Sequence, residues 1–242
     1  MSLVARLMNV FAVPGDVFSE IRATRHSVAN WLVPILISGV IGAVAITITF
    51  SQPAIQQQIR ETQSKGLEQQ VKAGKMTQEQ ADKTQEVWDK VMSPMVLKIA
   101  GAIGAAFVGA LRVVWWGFVV WLLGRFLLKT HFDYSKSLEV AGLSMMISVL
   151  AIIVTMLLQI ILARVFASPS LALVLDNFDA TRKTHLFLGA ANPFSLWQVC
   201  VLAIGLSKLA NVPFLRAGWP VLTYWVIQES LLILVGFGQL AL

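Results

Sequence analysis

Residues 95–128 read MVLKIAGAIGAAFVGALRVVWWGFVVWLLGRFLL. Across these 34 residues only Lys98, Arg112 and Arg125 carry charge. About 20 predominantly apolar residues are enough for a helix to cross the hydrocarbon core of a bilayer, so the stretch reads as a membrane-spanning helix. Gly101, Ala105 and Gly109 recur at every fourth position, with Ala102, Ala106 and Ala110 beside them. Such a small-residue face lets another backbone approach closely, either within the same bundle or from a second copy of the chain. At 1.5 Å per residue Arg112 stands about 20 Å from both Lys98 and Arg125, which places a guanidinium near mid-depth. A charge there is costly and ordinarily has a partner or a task.

Working outward, the rest of the chain has the same character. Hydrophobic residues make up 57% of the 242 and charged residues only 13%, about half the share of a soluble domain. The mean hydropathy is +0.72. A water-soluble globule of this length has too little interior for so much apolar surface. The formal net charge of +6 would suggest nucleic acid in a soluble protein. Here the cations collect at the ends of apolar segments, which points to membrane orientation and anionic headgroups instead. The one cysteine, Cys200, lies inside an apolar run and has no intrachain partner. Arg6, Asp16, Glu20, Arg22 and Arg25 interrupt the first 31 residues, so no cleavable signal peptide is expected.

The expected fold is all-α: one polytopic membrane domain over residues 1–242, with five transmembrane helices, an N-terminal interfacial helix and an extramembrane helical hairpin. The spans fall near 31–50, 96–123, 138–163, 193–208 and 219–240. Residues 1–30 form an apolar stripe (Leu3, Val4, Leu7, Met8, Val10, Phe11), broken at Pro14 and resumed by Val17, Phe18 and Ile21. Two readings of it stand: a helix along the membrane surface, or one packed on the end of the bundle. Residues 51–94 are rich in Gln and carry six Lys/Arg against six Asp/Glu. Gly74 ends one helix there, and Thr77 with Gln80 makes a capping box for the next, whose Ala81, Val87, Trp88 and Val91 favour one side. Residues 166–175, broken by Pro169, suit a short interfacial helix. Asn192 and Pro193 are a good N-cap and first residue for the fourth span.

Orientation follows from Lys/Arg in short flanking segments. With the N-terminus inside, the inner segments 1–31, 125–137 and 208–218 hold eight, and the outer segment 164–188 holds three. The expectation is a multi-pass protein of a cell membrane, a bacterial inner membrane, with a cytoplasmic N-terminus.

Residues 11–34, FAVPGDVFSEIRATRHSVANWLVP, and 192–209, NPFSLWQVCVLAIGLSKL, now stand in order around five spans. Their elements are Pro14–Ile21, Trp31 with Pro34, Phe194–Trp197, and the run Ala203-Ile204-Gly205-Leu206. In this order they resemble bacterial members of the Yip (Ypt-interacting protein) family of five-span membrane proteins, over essentially the whole chain. Eukaryotic relatives bind prenylated Rab GTPases in vesicle traffic. The chain carries no Asp-Leu-Tyr-Gly-Pro motif of the kind they have, and that role is not carried over. For bacterial members the resemblance implies fold and location more than activity.

Candidate chemistry is sparse. Glu229 lies 13 residues from both Arg216 and Leu242, at a depth matching Arg112. Arg112 and Glu229 are therefore expected to form an interhelical pair, read as a register clip or as a polar site for an ion, proton or small anion. Gln159, Gln198, Gln228 and Asn192 are supporting polar groups, most simply interhelical hydrogen-bonding glue. Asp176, Asp179 and His185 are close in sequence, but their spacing matches no metal-ligand pattern, and no metal or cofactor is expected. No phosphate-binding glycine loop, HExxH, GxSxG or intramembrane Asp pair is present, so no catalytic residue is assigned. The expected partners are membrane lipids and a further copy or another membrane protein, not nucleic acid. The function expected is non-enzymatic, organising membrane or recruiting partners. The alternative is a small transporter or channel with a midplane Arg112/Glu229 site.

Overall fold

The computed structural model describes residues 1–91, 94–175, 178–179 and 181–236. Asp176 and Leu242 lie outside these residues, and the side chains of Trp88, Val91, Lys98 and Ala102 are likewise undescribed. The described residues form α1 (Leu3–Ala12), α2 (Pro14–Ala23), α3 (Ala29–Thr49), α4 (Pro53–Lys72), α5 (Gln78–Val91), α6 (Pro94–Leu122), α7 (Tyr134–Leu162), α8 (Lys183–Ala190), α9 (Pro193–Ala210) and α10 (Phe214–Val235). Five of these, α3, α6 with its extension, α7, α9 and α10, are long and apolar enough to cross a membrane.

Small residues set the packing. Along α3 the buried positions Pro34, Ser38, Gly42, Ala45 and Thr49 recur every three to four residues, the period of one helix face. That face lets α3 lie against both α6 and α7. A Cβ at Gly42 would stand 3.1 Å from that of Ala105, and one at Gly39 3.2 Å from that of Ala106. Gly101 faces Ile46 and Gly109 faces the Met145 methyl. The small residues of α6 thus meet α3 and α7 within the same chain. At the crossing of α7 over the start of α3 the obstacle is backbone: a Cβ at Gly142 would fall 2.3 Å from the Trp31 Cα. α9 packs on α7 and α10 on α9.

The helix ends follow their local chemistry. Thr77 N–H donates to Gln80 at 2.9 Å and Gln80 N–H to Thr77 at 3.2 Å, opening α5. Asn192 accepts from Phe194 N–H at 2.9 Å, with Pro193 first in α9. α6 runs on into a π-turn over Leu123–Leu127. Three boundaries differ from expectation. α10 starts at Phe214, because Pro213 sits as its cap and Pro220 is accommodated inside the helix. Residues 166–175 give only a single 3-10 turn, Leu171–Val174. Residues 183–190, to which the sequence assigns no element, form the short helix α8.

The bundle has two ends. The collar end carries α1, α2 and the 128–133 turn; the hairpin end carries α4, α5 and α8. Gln58 of α4 donates to the Ala163 carbonyl and accepts from Val165 N–H at 3.1 Å, tying the hairpin to the end of α7.

Candidate functional site

In the hairpin-side half of the bundle, α3, α6, α7 and α9 leave a cleft of about 480 Å³. It runs from Thr49 and Phe50 at the end of α3 down to Ser38. Eleven residues of helix make that about 16 Å, close to half the hydrocarbon thickness. Arg112, Gly109 and Ala105 enter from α6; Ser148, Thr155 and Gln159 from α7; Asn192, Ser195 and Gln198 from α9. The walls between them are apolar, with Val108, Ile152, Met156 and Phe194.

The cleft gathers Arg112, Gln159, Gln198 and Asn192, and leaves Glu229 and Gln228 outside its lining. Among the described residues no ion pair within 4.0 Å includes Arg112. Arg112 and Glu229 act on one another electrostatically across the space between α6 and α10, and Glu229 Oε2 is buried without a hydrogen-bond partner. Three of the supporting groups, Gln198, Gln159 and Gln228, each join two segments, whereas Asn192 caps its own helix. Gln198 accepts from Ser148 at 2.7 Å between α9 and α7. Gln159 accepts from Thr49 at 3.2 Å and donates to the Val165 carbonyl at 2.8 Å. Gln228 accepts from the Trp115 indole at 3.0 Å, beside the edge-on contact of Trp116 and Tyr224. Asp179 and His185 serve a turn: Asp179 accepts from the Thr181 N–H and hydroxyl, and His185 Nδ1 accepts from Asp179 N–H at 2.9 Å.

Compared with known families, the Yip1 domain matches residues 8–237. The chain belongs to the Yip1 family. It is a multi-pass membrane protein with five candidate spans. No curated protein and no solved structure matches it.

The two segments that carry the Yip resemblance are packed on one another in this Yip1 domain. Phe11, at the corner between α1 and α2, meets Trp197 edge-on at 6.0 Å. Arg22 donates to the Asn211 side chain at 2.6 Å. Leu7, Val10, Val17, Phe18 and Ile21 are buried in the main core. Of the two readings of residues 1–30, packing on the bundle describes these inner faces. Trp197 lies in the first turns of α9, which starts at the opposite end, so the α1–α2 corner is set into the bundle.

Beneath this collar lies a polar network that the sequence did not single out. Glu139 and Asn30 are each 1% exposed. Asn30 donates to Glu139, Lys136 pairs with Glu139 at 3.1 Å, and Lys136 also donates to the Ile21 and Thr24 carbonyls, both at 2.7 Å. Arg6 donates to Asn30 at 3.3 Å and pairs with Glu20 at 2.7 Å. The N-terminal amine and Arg6 hold the Glu20 carboxyl below its ordinary value. The network nails α1 and α2 to the starts of α3 and α7. Its sequence signal was a lone acid three residues after a lysine at the mouth of an apolar helix.

Proposed function

We propose that this Yip1-domain protein is a non-enzymatic membrane protein that organises the bilayer around it and recruits partners to it, in a bacterial inner membrane with its N-terminus in the cytoplasm. The observation that carries the reading is the outward face of α1. Leu7 and Val10 bind the helix to the bundle, while Val4 is 69% and Met8 65% exposed. Residues four apart share a helix face, so these two project from a corner already set into the bundle. A short helix held rigidly with an apolar outer face displaces lipid on one side of the membrane, which is how a wedge bends a bilayer. The eight-to-three excess of Lys/Arg supports the orientation, and the solvated, charge-balanced α4–α5 hairpin offers a surface for partners.

The test is reconstitution of the whole protein into large liposomes at rising protein-to-lipid ratio, with vesicle shape read by cryo-electron microscopy. The parent narrows or tubulates the vesicles. Val4→Asp with Met8→Asp, both at exposed positions, abolishes the deformation and leaves the melting transition in place. Equal deformation by the double variant refutes the reading.

A second reading is favoured by the cleft reaching mid-depth: a small transporter or channel using Arg112 and Glu229. It requires solute flux in liposomes that is lost on Glu229→Gln. On that reading, exchanging the two charges restores what each single exchange loses.

A further inference from the structure

We propose that the cleft above Arg112 is a binding site for a phosphate-bearing lipid from the leaflet on the hairpin side. Four observations lead there. First, Arg112 is the charged side chain of the lining, and no acid lines the cleft with it. It has neither hydrogen bond nor ion pair among the described residues, and Glu229, an acid that acts on it, stands outside the lining. A guanidinium at this depth with no direct ion pair carries a cost on the scale of about 2.5 kcal/mol, which the longer-range pull of Glu229 only reduces. An incoming phosphate removes that cost through a charge-assisted, two-pronged contact.

Second, hydroxyls are left free to receive it. Thr47, Ser51 and Ser144 turn their hydroxyls back onto the carbonyl four residues earlier. Ser38, Thr155 and Ser195 line the cleft and make no hydrogen bond among the described residues. Three donors and a cation around one space match an oxygen-rich headgroup.

Third, the space has lipid character. Its volume of about 480 Å³ falls in the range of roughly 300–1,000 Å³ common to ligand sites. Val108, Ile152, Met156 and Phe194 on its walls suit acyl carbons beside the polar floor. A water-soluble anion would have no use for them.

Fourth, the route fits. The cleft begins at the end of α3, where headgroups lie, and descends along the α6 surface, on which Ile103, Phe107 and Leu111 are exposed. A lipid enters sideways from its own leaflet with its tails remaining in hydrocarbon. The site is independent of the apolar face of α1, so its failure and the failure of the wedge are separate results.

The experiment is native mass spectrometry of the full protein released from nanodiscs containing dioleoylphosphatidylglycerol, dioleoylphosphatidylcholine and dioleoylglycerol, which share one pair of tails. The two phosphate-bearing lipids are retained over the diacylglycerol. Arg112→Gln weakens that retention by roughly tenfold, the scale of one charge-assisted hydrogen bond, and Arg112→Lys restores part of it. Thr155→Val with Ser195→Ala, which leaves the charge in place, also weakens it. Arg125→Gln, at the collar end where Arg125 lies over Trp121 at 5.7 Å, has no effect. Parent-like melting of Arg112→Gln separates loss of the site from loss of the fold. Equal retention of diacylglycerol, or unchanged retention by Arg112→Gln, overturns the proposal. Displacement of the lipid by excess inorganic phosphate alone would make the site one for a free anion and overturn it equally.

Discussion

Adding one methyl group at Gly142 tests a close contact of helix against backbone. A Cβ there falls 2.3 Å from the Trp31 Cα, 2.5 Å from its Cβ and 2.8 Å from the Asn30 carbonyl oxygen. Ordinary contact begins at 3.4 Å, so α3 and α7 must separate by about 1 Å. The nearest obstacle is backbone, and no rotamer change relieves it. A gap of 0.5–1 Å forfeits about a quarter to a half of each contact's attraction along the seam. The same separation stretches the Asn30–Glu139 hydrogen bond and leaves a buried carboxylate poorly paired. Overpacking ordinarily costs about 1–3 kcal/mol. Gly142→Ala belongs at or above the top of that range, because both effects act together. Gly104 is the internal control: a Cβ there meets nothing within 4 Å, and Gly104→Ala is neutral or gains up to about 1 kcal/mol of helix preference. Reversible unfolding in mixed micelles, followed by tryptophan fluorescence, reads both. Parent-like stability of Gly142→Ala would refute the α3–α7 geometry.

Glu139→Ala strands Lys136 and Asn30 in the interior and destabilises the fold by about 3–5 kcal/mol, measured by the same unfolding, whereas Glu139→Gln costs less because the amide still bonds Asn30. Asn192→Ala removes the cap of α9 and costs about 1 kcal/mol, read as a lower melting midpoint. Glu20 sets a pH dependence. Its carboxyl is held below the ordinary 4.5, so its stabilisation of the collar is full above that value and is lost as pH falls through the lower folded-state value. Melting measured from neutral pH downward shows this loss in the parent and a flatter profile in Glu20→Gln. Gln58→Ala unties α4 from Ala163 and Val165 and speeds proteolysis in the hairpin without shifting the main transition.

Much of the fold was legible because it depends on local composition. Residues 95–128 announce a span whatever surrounds them, and Asn192-Pro193 and Thr77-Gln80 set helix starts by bonds reaching two or three residues. Residues 183–190 were less legible: KTHLFLGA is short and mixed, and its Leu186 and Ala190 become a core only beside Ile233 of α10. The candidate site was half legible. Arg112 stood out because its depth follows from counting residues. That the cleft draws in Ser38, Ser148 and Gln198 depends on which helix faces which, and no stretch of sequence states that. Glu139 was passed over for a similar reason, since its partner Asn30 lies 109 residues away.

The central claim is a polar cleft opening from the hairpin end of the bundle and reaching toward mid-depth. In a Cys200→Ser background, single cysteines at Ser195, in the cleft, at Ser144, sealed inside α7, and at Gln78, on the hairpin, are exposed to a membrane-impermeant methanethiosulfonate from each side in turn. Ser195→Cys is expected to react from the same side as Gln78→Cys, with Ser144→Cys inert from both. A Ser195→Cys as inert as Ser144→Cys, or reactive from the opposite side to Gln78→Cys, would contradict the account.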